Sequence, residues 1–271
     1  MRGRTARRQG RRERGDTIVV AIALLCVALA LVRLAGIDLL GPFTASVLSA
    51  NPATEAMPAP REWNEDDAPN YYEVIGTARF GDASIGDQDA LTRGEVSYGA
   101  LDDLGRATGV VACVDEALAS AGSARERGDT STIHPSGWGY NEEVAIELPT
   151  GRTYHGYFWN RSHLLAKSLG GEEIAQNLIC GTRMQNVGAN LRGTEGGMAY
   201  AESLVRTWLA DNPNGFVYYA ATPCYAGDEL VCRNVVVDVL SSDGALDLEV
   251  VVYNAAKGYE IDYATGTFWP V

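Results

Sequence analysis

Four stretches near the C-terminus carry β-branched and aromatic residues in short runs bounded by Gly, Asn, Asp and Ser. They are "GFVYYAAT" (215–222), "RNVVVDVLS" (233–241), "LDLEVVVYN" (246–254) and "GYEIDYATG" (258–266). Such runs predict strands joined by turns. Upstream, "TGVVACV" (108–114) reads as a strand and "DEALASAG" (115–122) as a short helix. "EVAIELP" (143–149) and "RTYHGYFW" (152–159) read as two strands joined by the turn residues Thr150 and Gly151. Between these blocks, "GGMAYAESLVRTWLADN" (196–212) places Met198, Ala201, Leu204, Val205 and Trp208 at helical spacing and stops at Asn-Pro. Strands, then helices, then strands predict a mixed α+β domain. No internal repeat or second linker interrupts it, so residues 70–271 are expected to form one domain.

The N-terminal pattern is different. Residues 17–32, "TIVVAIALLCVALALV", hold 16 apolar or small residues with no charge, behind a segment rich in arginine. This length lies between a signal-peptide core and a membrane span of about 20 residues. Residues 1–50 are therefore expected to be either a cleaved signal or an uncleaved membrane anchor. The basic side stays in the cytoplasm and the body is exported. Residues 51–69, Pro-rich and acidic, are expected to be an extended linker.

Charge narrows the partner classes. Of 22 basic and 35 acidic residues, eight arginines and three acids fall in 1–50, leaving 14 against 32 and a net of −18 for the remainder. Such a body argues against tight nucleic-acid binding, which needs clustered Lys and Arg. Only local positive charge at a site can override it. An exported body with four cysteines, Cys113, Cys180, Cys224 and Cys232, suggests disulfides. The simplest pairing joins Cys224 to Cys232 across their connection and leaves Cys113 with Cys180. A zinc site is disfavoured, because no CxxC or clustered histidine accompanies them.

Candidate chemistry centres on "YFWNRSHLLAKSLGG" (157–171). The chain has three histidines; His134 and His155 read as loop and strand residues. His163 ends a strand-like run, where a lone histidine is more often a core residue. Arg161, two positions earlier, projects to the same face of an extended chain. A cation there would keep the imidazole neutral, as a general base requires, and could hold a phosphate oxygen. Downstream, "NLICGTRMQNVGANLRGTEGG" holds Asn177, Asn186 and Asn190 with Arg183 and Arg192. Asparagine at helical spacing is costly without a partner, and an amide oxygen plus waters is a plausible Mg²⁺ shell. Glu202 and Arg206 lie four apart on one face of the predicted helix.

The blocks "YFWNRSHLLAKSLGG", "NLICGTRMQNVG" and "GGMAYAESLVR", with "LDDLGRATG", "IHPSGW" and "GYEIDYATG", resemble the DNA/RNA non-specific endonucleases of the ββα-metal superfamily. They are most similar to the secreted streptodornase-type DNases of Gram-positive bacteria, over about residues 101–266. The resemblance implies a ββα-metal nuclease fold with a central, mostly antiparallel sheet flanked by helices. It implies His163 as general base, Asn186 as the Mg²⁺-binding asparagine and Arg161 as a phosphate clamp. Glu202 takes a metal-water role and Arg206 a transition-state or phosphate role; Arg183, Arg192 and Asn190 are candidates for substrate contact. Mn²⁺ could substitute for Mg²⁺, and no organic cofactor is implied. The implied partner is DNA, with RNA left open, and the membrane if the N-terminus is uncleaved. Distant members carry Asp-Arg-Gly-His, where this chain has Asn160 and Ser162. Two other readings are a non-catalytic surface receptor for nucleic acid and an interbacterial nuclease toxin.

Overall fold

The computed structural model describes residues 58–80, 91–189 and 195–271; the expectations for residues 1–57, Asn190 and Arg192 lie outside them. Six strands, β1 (Tyr72–Gly76), β2 (Val96–Tyr98), β3 (Val110–Asp115), β8 (Phe216–Cys224), β9 (Asn234–Ser241) and β10 (Asp247–Tyr253), form the main sheet. Their order is β1-β10-β9-β8-β3-β2, and every pairing is antiparallel. The near-continuous apolar runs of β9 and β10 explain why this sheet can bury both faces. Val110, Ala112, Val217, Tyr219, Val235, Val237, Val250 and Val252 point to one side and join the largest apolar cluster. There they meet Met198, Ala201, Val205 and Trp208 of the helix α3 (Met198–Asp211). Cys224, Val236, Val251 and Tyr253 point to the other side.

That second face is covered by the segment expected to be a free linker. Ala68 is buried there and Trp63 packs beside it, its ring stacked on Tyr71 at 4.8 Å. Arg61 N–H donates to Asn234 Oδ1 at 2.7 Å. Residues 58–69 thus pack on the domain, because the sheet's second face is apolar and needs a cover.

Three short two-stranded units complete the fold: β4 (Glu143–Glu147) with β5 (Thr153–Tyr157), β6 (Trp159–His163) with β7 (Leu178–Thr182), and β11 (Tyr259–Asp262) with β12 (Thr267–Pro270). The run read as one strand, 152–159, is divided at Phe158. Phe158 is fully buried and stacked on Phe268 at 3.9 Å, so the chain turns there from the β4–β5 ribbon into the β6–β7 pair. The second apolar cluster, built on Phe158, Trp159, Ile146, Met184 and Phe268, supports that turn. Phe158→Ala is expected to cost about 3–5 kcal/mol, measured as a lower urea midpoint at unchanged m-value.

All four cysteines are buried free thiols in the structure, and the expected disulfides are not formed in it. Cys224 ends β8 and packs in one apolar cluster, whereas Cys232 lies in the loop before β9 and packs in another. Cys113 lies on β3 of the main sheet and Cys180 on β7 of a separate pair. Burial raises the pKa of all four thiols.

Candidate active site

The β6–β7 pair runs directly into the one-and-a-half-turn helix α2 (Arg183–Val187), a strand–strand–helix unit. Its register sets Asn160 opposite Gly181 and His163 opposite Leu178. Gly181 has to be a glycine: a Cβ there would lie 2.3 Å from Gln185 Oε1 and 2.7 Å from the Ser162 Cβ. The helix starts at Thr182, whose hydroxyl accepts from Gln185 N–H and donates to Ala255 C=O, at 2.9 and 2.8 Å. Tyr219 of the main sheet donates to Leu164 C=O at 3.0 Å. Asn177 accepts from Leu165 N–H and donates to Leu165 and Glu172 C=O. These bonds fix the chain just after His163, so Asn177 is structural.

A cavity of about 770 Å³ opens over this unit. His163, Arg161, Asn186, Glu202, Glu173 and Lys167 all contribute to its walls. Sequence separations of 23 and 39 residues between His163, Asn186 and Glu202 are thereby closed into one site. Burial holds the His163 pKa down at about 4; Glu173 pulls it up, while Arg127 and Arg125 push it further down. The imidazole is therefore neutral at physiological pH, and its Nε2 has no hydrogen-bond partner. Burial likewise pushes Glu202 up to about 7, against the pull of Arg206.

Asn186 is held by two β6 neighbours. Ser162 Oγ donates to its Oδ1 and its Nδ2 donates to Asn160 Oδ1, both at 3.3 Å. The two departures from Asp-Arg-Gly-His thus become the side chains that orient an amide on the facing helix.

The expected cations separate into two groups. Arg161 lines the cavity, but the loop 131–138 holds it: Nε donates to Ile133 C=O at 2.6 Å, Nη2 to Ser131 C=O at 3.0 Å, and the guanidinium lies 4.1 Å from the Trp138 ring centre. It is also absent from the charges that depress His163, so burial accomplishes what the sequence assigned to Arg161. Arg206 stands behind the wall, bonded to Ser168 Oγ at 3.0 Å and 3.8 Å from Glu202. Arg183 does not line the cavity; its guanidinium lies over the Tyr154 ring.

Sequence reasoning missed Lys167, Arg127 and Glu173. Lys167 Nζ donates to Gly122 C=O at 2.9 Å near the end of helix α1 (Glu116–Ala124). Glu173 accepts from Gly128 N–H and sits 3.9 Å from Arg127. Arg127 comes from the loop after α1, which only the fold brings to this wall, while Lys167 and Glu173 follow His163 closely in the chain but carry no local pattern that marks them as wall residues.

An antiparallel strand pair feeding a short helix, with a neutral histidine and an asparagine facing one cavity, defines a ββα nuclease. A family profile described as DNA/RNA non-specific endonuclease matches residues 80–267. A deoxyribonuclease of Streptococcus dysgalactiae subsp. equisimilis is 32% identical over 240 residues, covering 73% of this chain and 72% of that protein. Among solved structures, Sda1 nuclease with a bound zinc ion superposes with a TM-score of 0.71 at 32% identity, covering 78% of this chain and 100% of the other. NucA from Streptococcus agalactiae with a bound magnesium ion gives 0.53 at 26%, covering 67% and 82%. The chain belongs to the DNA/RNA non-specific endonuclease family and is an endonuclease.

Proposed function

We propose that the chain is an exported, Mg²⁺-dependent endonuclease that hydrolyses DNA phosphodiesters with little sequence preference, with His163 as general base and Asn186 as metal ligand. The observation that carries this reading is the meeting of a neutral His163 and an oriented Asn186 in one cavity. The donor set fits a hard cation. Among the described residues no group of three or more His, Cys, Asp or Glu could hold a metal ion. One amide oxygen, with a buried carboxylate nearby, suits Mg²⁺, which keeps most of its waters, with Mn²⁺ as a substitute; it does not suit a tetrahedral zinc site.

When bound, such a cation supplies Lewis-acid stabilisation of the charge on the leaving 3′-oxygen. The chain's own residues do the rest. His163, uncharged, takes a proton from the water that attacks phosphorus. Asn160 and Ser162 hold the Asn186 amide in place. Lys167 and Arg127 add positive charge at the cavity wall, and Arg161 presents the donors left over from its loop contacts to phosphate oxygens. Contacts to phosphates, not base edges, leave the cut indifferent to sequence. Export rests on the basic and apolar N-terminal pattern. The acidic body matches weak, salt-sensitive binding and ready product release. A receptor without turnover would have no use for a base and a metal ligand.

The test is nicking of supercoiled plasmid by the full chain with Mg²⁺ and with EDTA. Cutting that persists in EDTA defeats the reading.

Glu202 makes the metal step pH-dependent. With its pKa raised to about 7, the carboxyl holds a proton below that pH which has to leave when a cation binds. Apparent Mg²⁺ affinity is therefore expected to rise with pH, by up to about tenfold per unit, until about pH 7, and then level off. His163, at about 4, contributes nothing in that range. Calorimetric Mg²⁺ titrations between pH 5.5 and 8 check this; an equal slope in Glu202→Gln would remove Glu202 from the explanation.

A further inference from the structure

The cavity has a second kind of wall. Besides the charged groups, Trp138, Asn141 and Tyr157 line it. Two of these are occupied within the protein. The Trp138 ring carries the Arg161 guanidinium, and the Asn141 amide is spent on the Trp159 backbone, accepting from its N–H at 2.9 Å and donating to its C=O at 3.0 Å.

Tyr157 has no such employment. It ends β5 on the outward face of the β4–β5 ribbon, opposite Glu143, and is 56% exposed. Its strand neighbour Tyr154 packs against the second apolar cluster; Tyr157 does not. Among the described residues no other ring or guanidinium stacks on it. A lone exposed aromatic is ordinary on a protein surface, but this one faces the catalytic cavity.

Distance favours a role there. Tyr157 precedes Asn160 by three residues across the turn at Phe158, and since even an extended chain covers only about 3.3 Å per residue, their Cα atoms lie within about 10 Å. That is roughly three nucleotide rises of about 3.4 Å. Asn160 in turn touches Asn186 at 3.3 Å. A cavity of about 770 Å³ also exceeds what one phosphate fills and is in the range of sites that enclose whole small organic ligands.

We propose that Tyr157 is a stacking subsite for an unpaired nucleobase within about three nucleotides of the scissile phosphate, so that the chain binds single-stranded or locally opened DNA better than closed duplex. The inference rests on the nuclease reading of this cavity. An open phenol ring offers a face to any base, which keeps the contact indifferent to sequence. In a closed duplex both faces of each base are already stacked, and the ring finds no partner.

The experiment uses the full chain in EDTA and a single-stranded oligonucleotide carrying 2-aminopurine, a fluorescent adenine analogue quenched by stacking. Wild type is expected to quench it. Tyr157→Ala is expected to lose the quenching and weaken single-strand binding by about 5- to 150-fold, with a smaller loss for a duplex of the same sequence. Tyr157→Phe, which keeps the ring, restores both readouts. Unchanged quenching in Tyr157→Ala, or equal losses on both substrates, overturns the subsite. Plasmid nicking by wild type with Mg²⁺ is run alongside. Its absence would overturn the nuclease reading, whereas the fluorescence arm needs no cleavage.

Discussion

With His163 replaced by alanine, plasmid cleavage by the full chain is expected to slow by about 100- to 10,000-fold, the range a positioned general base contributes. The loss falls on kcat. Mg²⁺ affinity and DNA binding stay near wild type, because the Asn186 amide is held by Asn160 and Ser162, independently of the imidazole. His163 Nε2 has no hydrogen-bond partner to be broken, so the substitution leaves the network around it in place. Added imidazole is expected to restore part of the rate, a rescue that a merely structural defect would not show. A variant that cuts within a few-fold of wild type would end the general-base assignment.

Asn186→Ala is expected to act on the other half of the chemistry. Replacing residues that only orient a metal ligand commonly costs about 10–100-fold in metal affinity. Loss of the ligand itself is expected to reach or exceed about 100-fold on that scale. Cleavage then falls at ordinary Mg²⁺ concentration and partly recovers at high concentration. Ser162→Ala and Asn160→Ala, each removing one bond to the amide, are expected to fall within the smaller range. Mn²⁺ binding followed by electron paramagnetic resonance reads the affinity directly, without turnover. Unchanged Mn²⁺ binding in Asn186→Ala would remove it from the metal site, and a Ser162→Ala loss larger than that of Asn186→Ala would reverse the order of roles argued from the geometry.

These predictions depend on features with different visibility in the sequence. The strands β3, β8, β9 and β10 and the helix α3 were legible because the strands carry runs of β-branched and aromatic residues, such as Val235 to Val237 and Val250 to Val252, and Met198, Ala201, Val205 and Trp208 recur at helical spacing. β7 was not legible. It holds only two β-type apolar residues in a row, Leu178 and Ile179, and Gly181 within it argues against a strand until Gln185 and Ser162 are seen pressed against that position. β1 was hidden by its place next to an acidic, Pro-rich stretch that looks like a linker but covers one face of the sheet.

The candidate site was legible as residue types and order, through resemblance to a family, and much less as physics. Arg161 looked like the group that tunes His163, because sequence shows proximity along a strand. Burial tunes it instead. Cys224 and Cys232 looked like a bridge for the same reason, yet both are free thiols, packed in different apolar clusters.

Sequence by itself determined the α+β pattern, the acidic body behind a basic and apolar N-terminus, and the presence of His163, Asn186 and Glu202 in a fixed order. Those are local properties, carried by side-chain period, charge and identity. The tertiary structure decided that Asn160 and Ser162 grip Asn186, that Lys167, Arg127 and Glu173 join the wall, and that Arg183 is excluded from it. It also decided the protonation states, His163 neutral and Glu202 poised near neutrality. Desolvation and hydrogen bonding depend on what surrounds a group, and those surroundings exist only once distant segments have packed together.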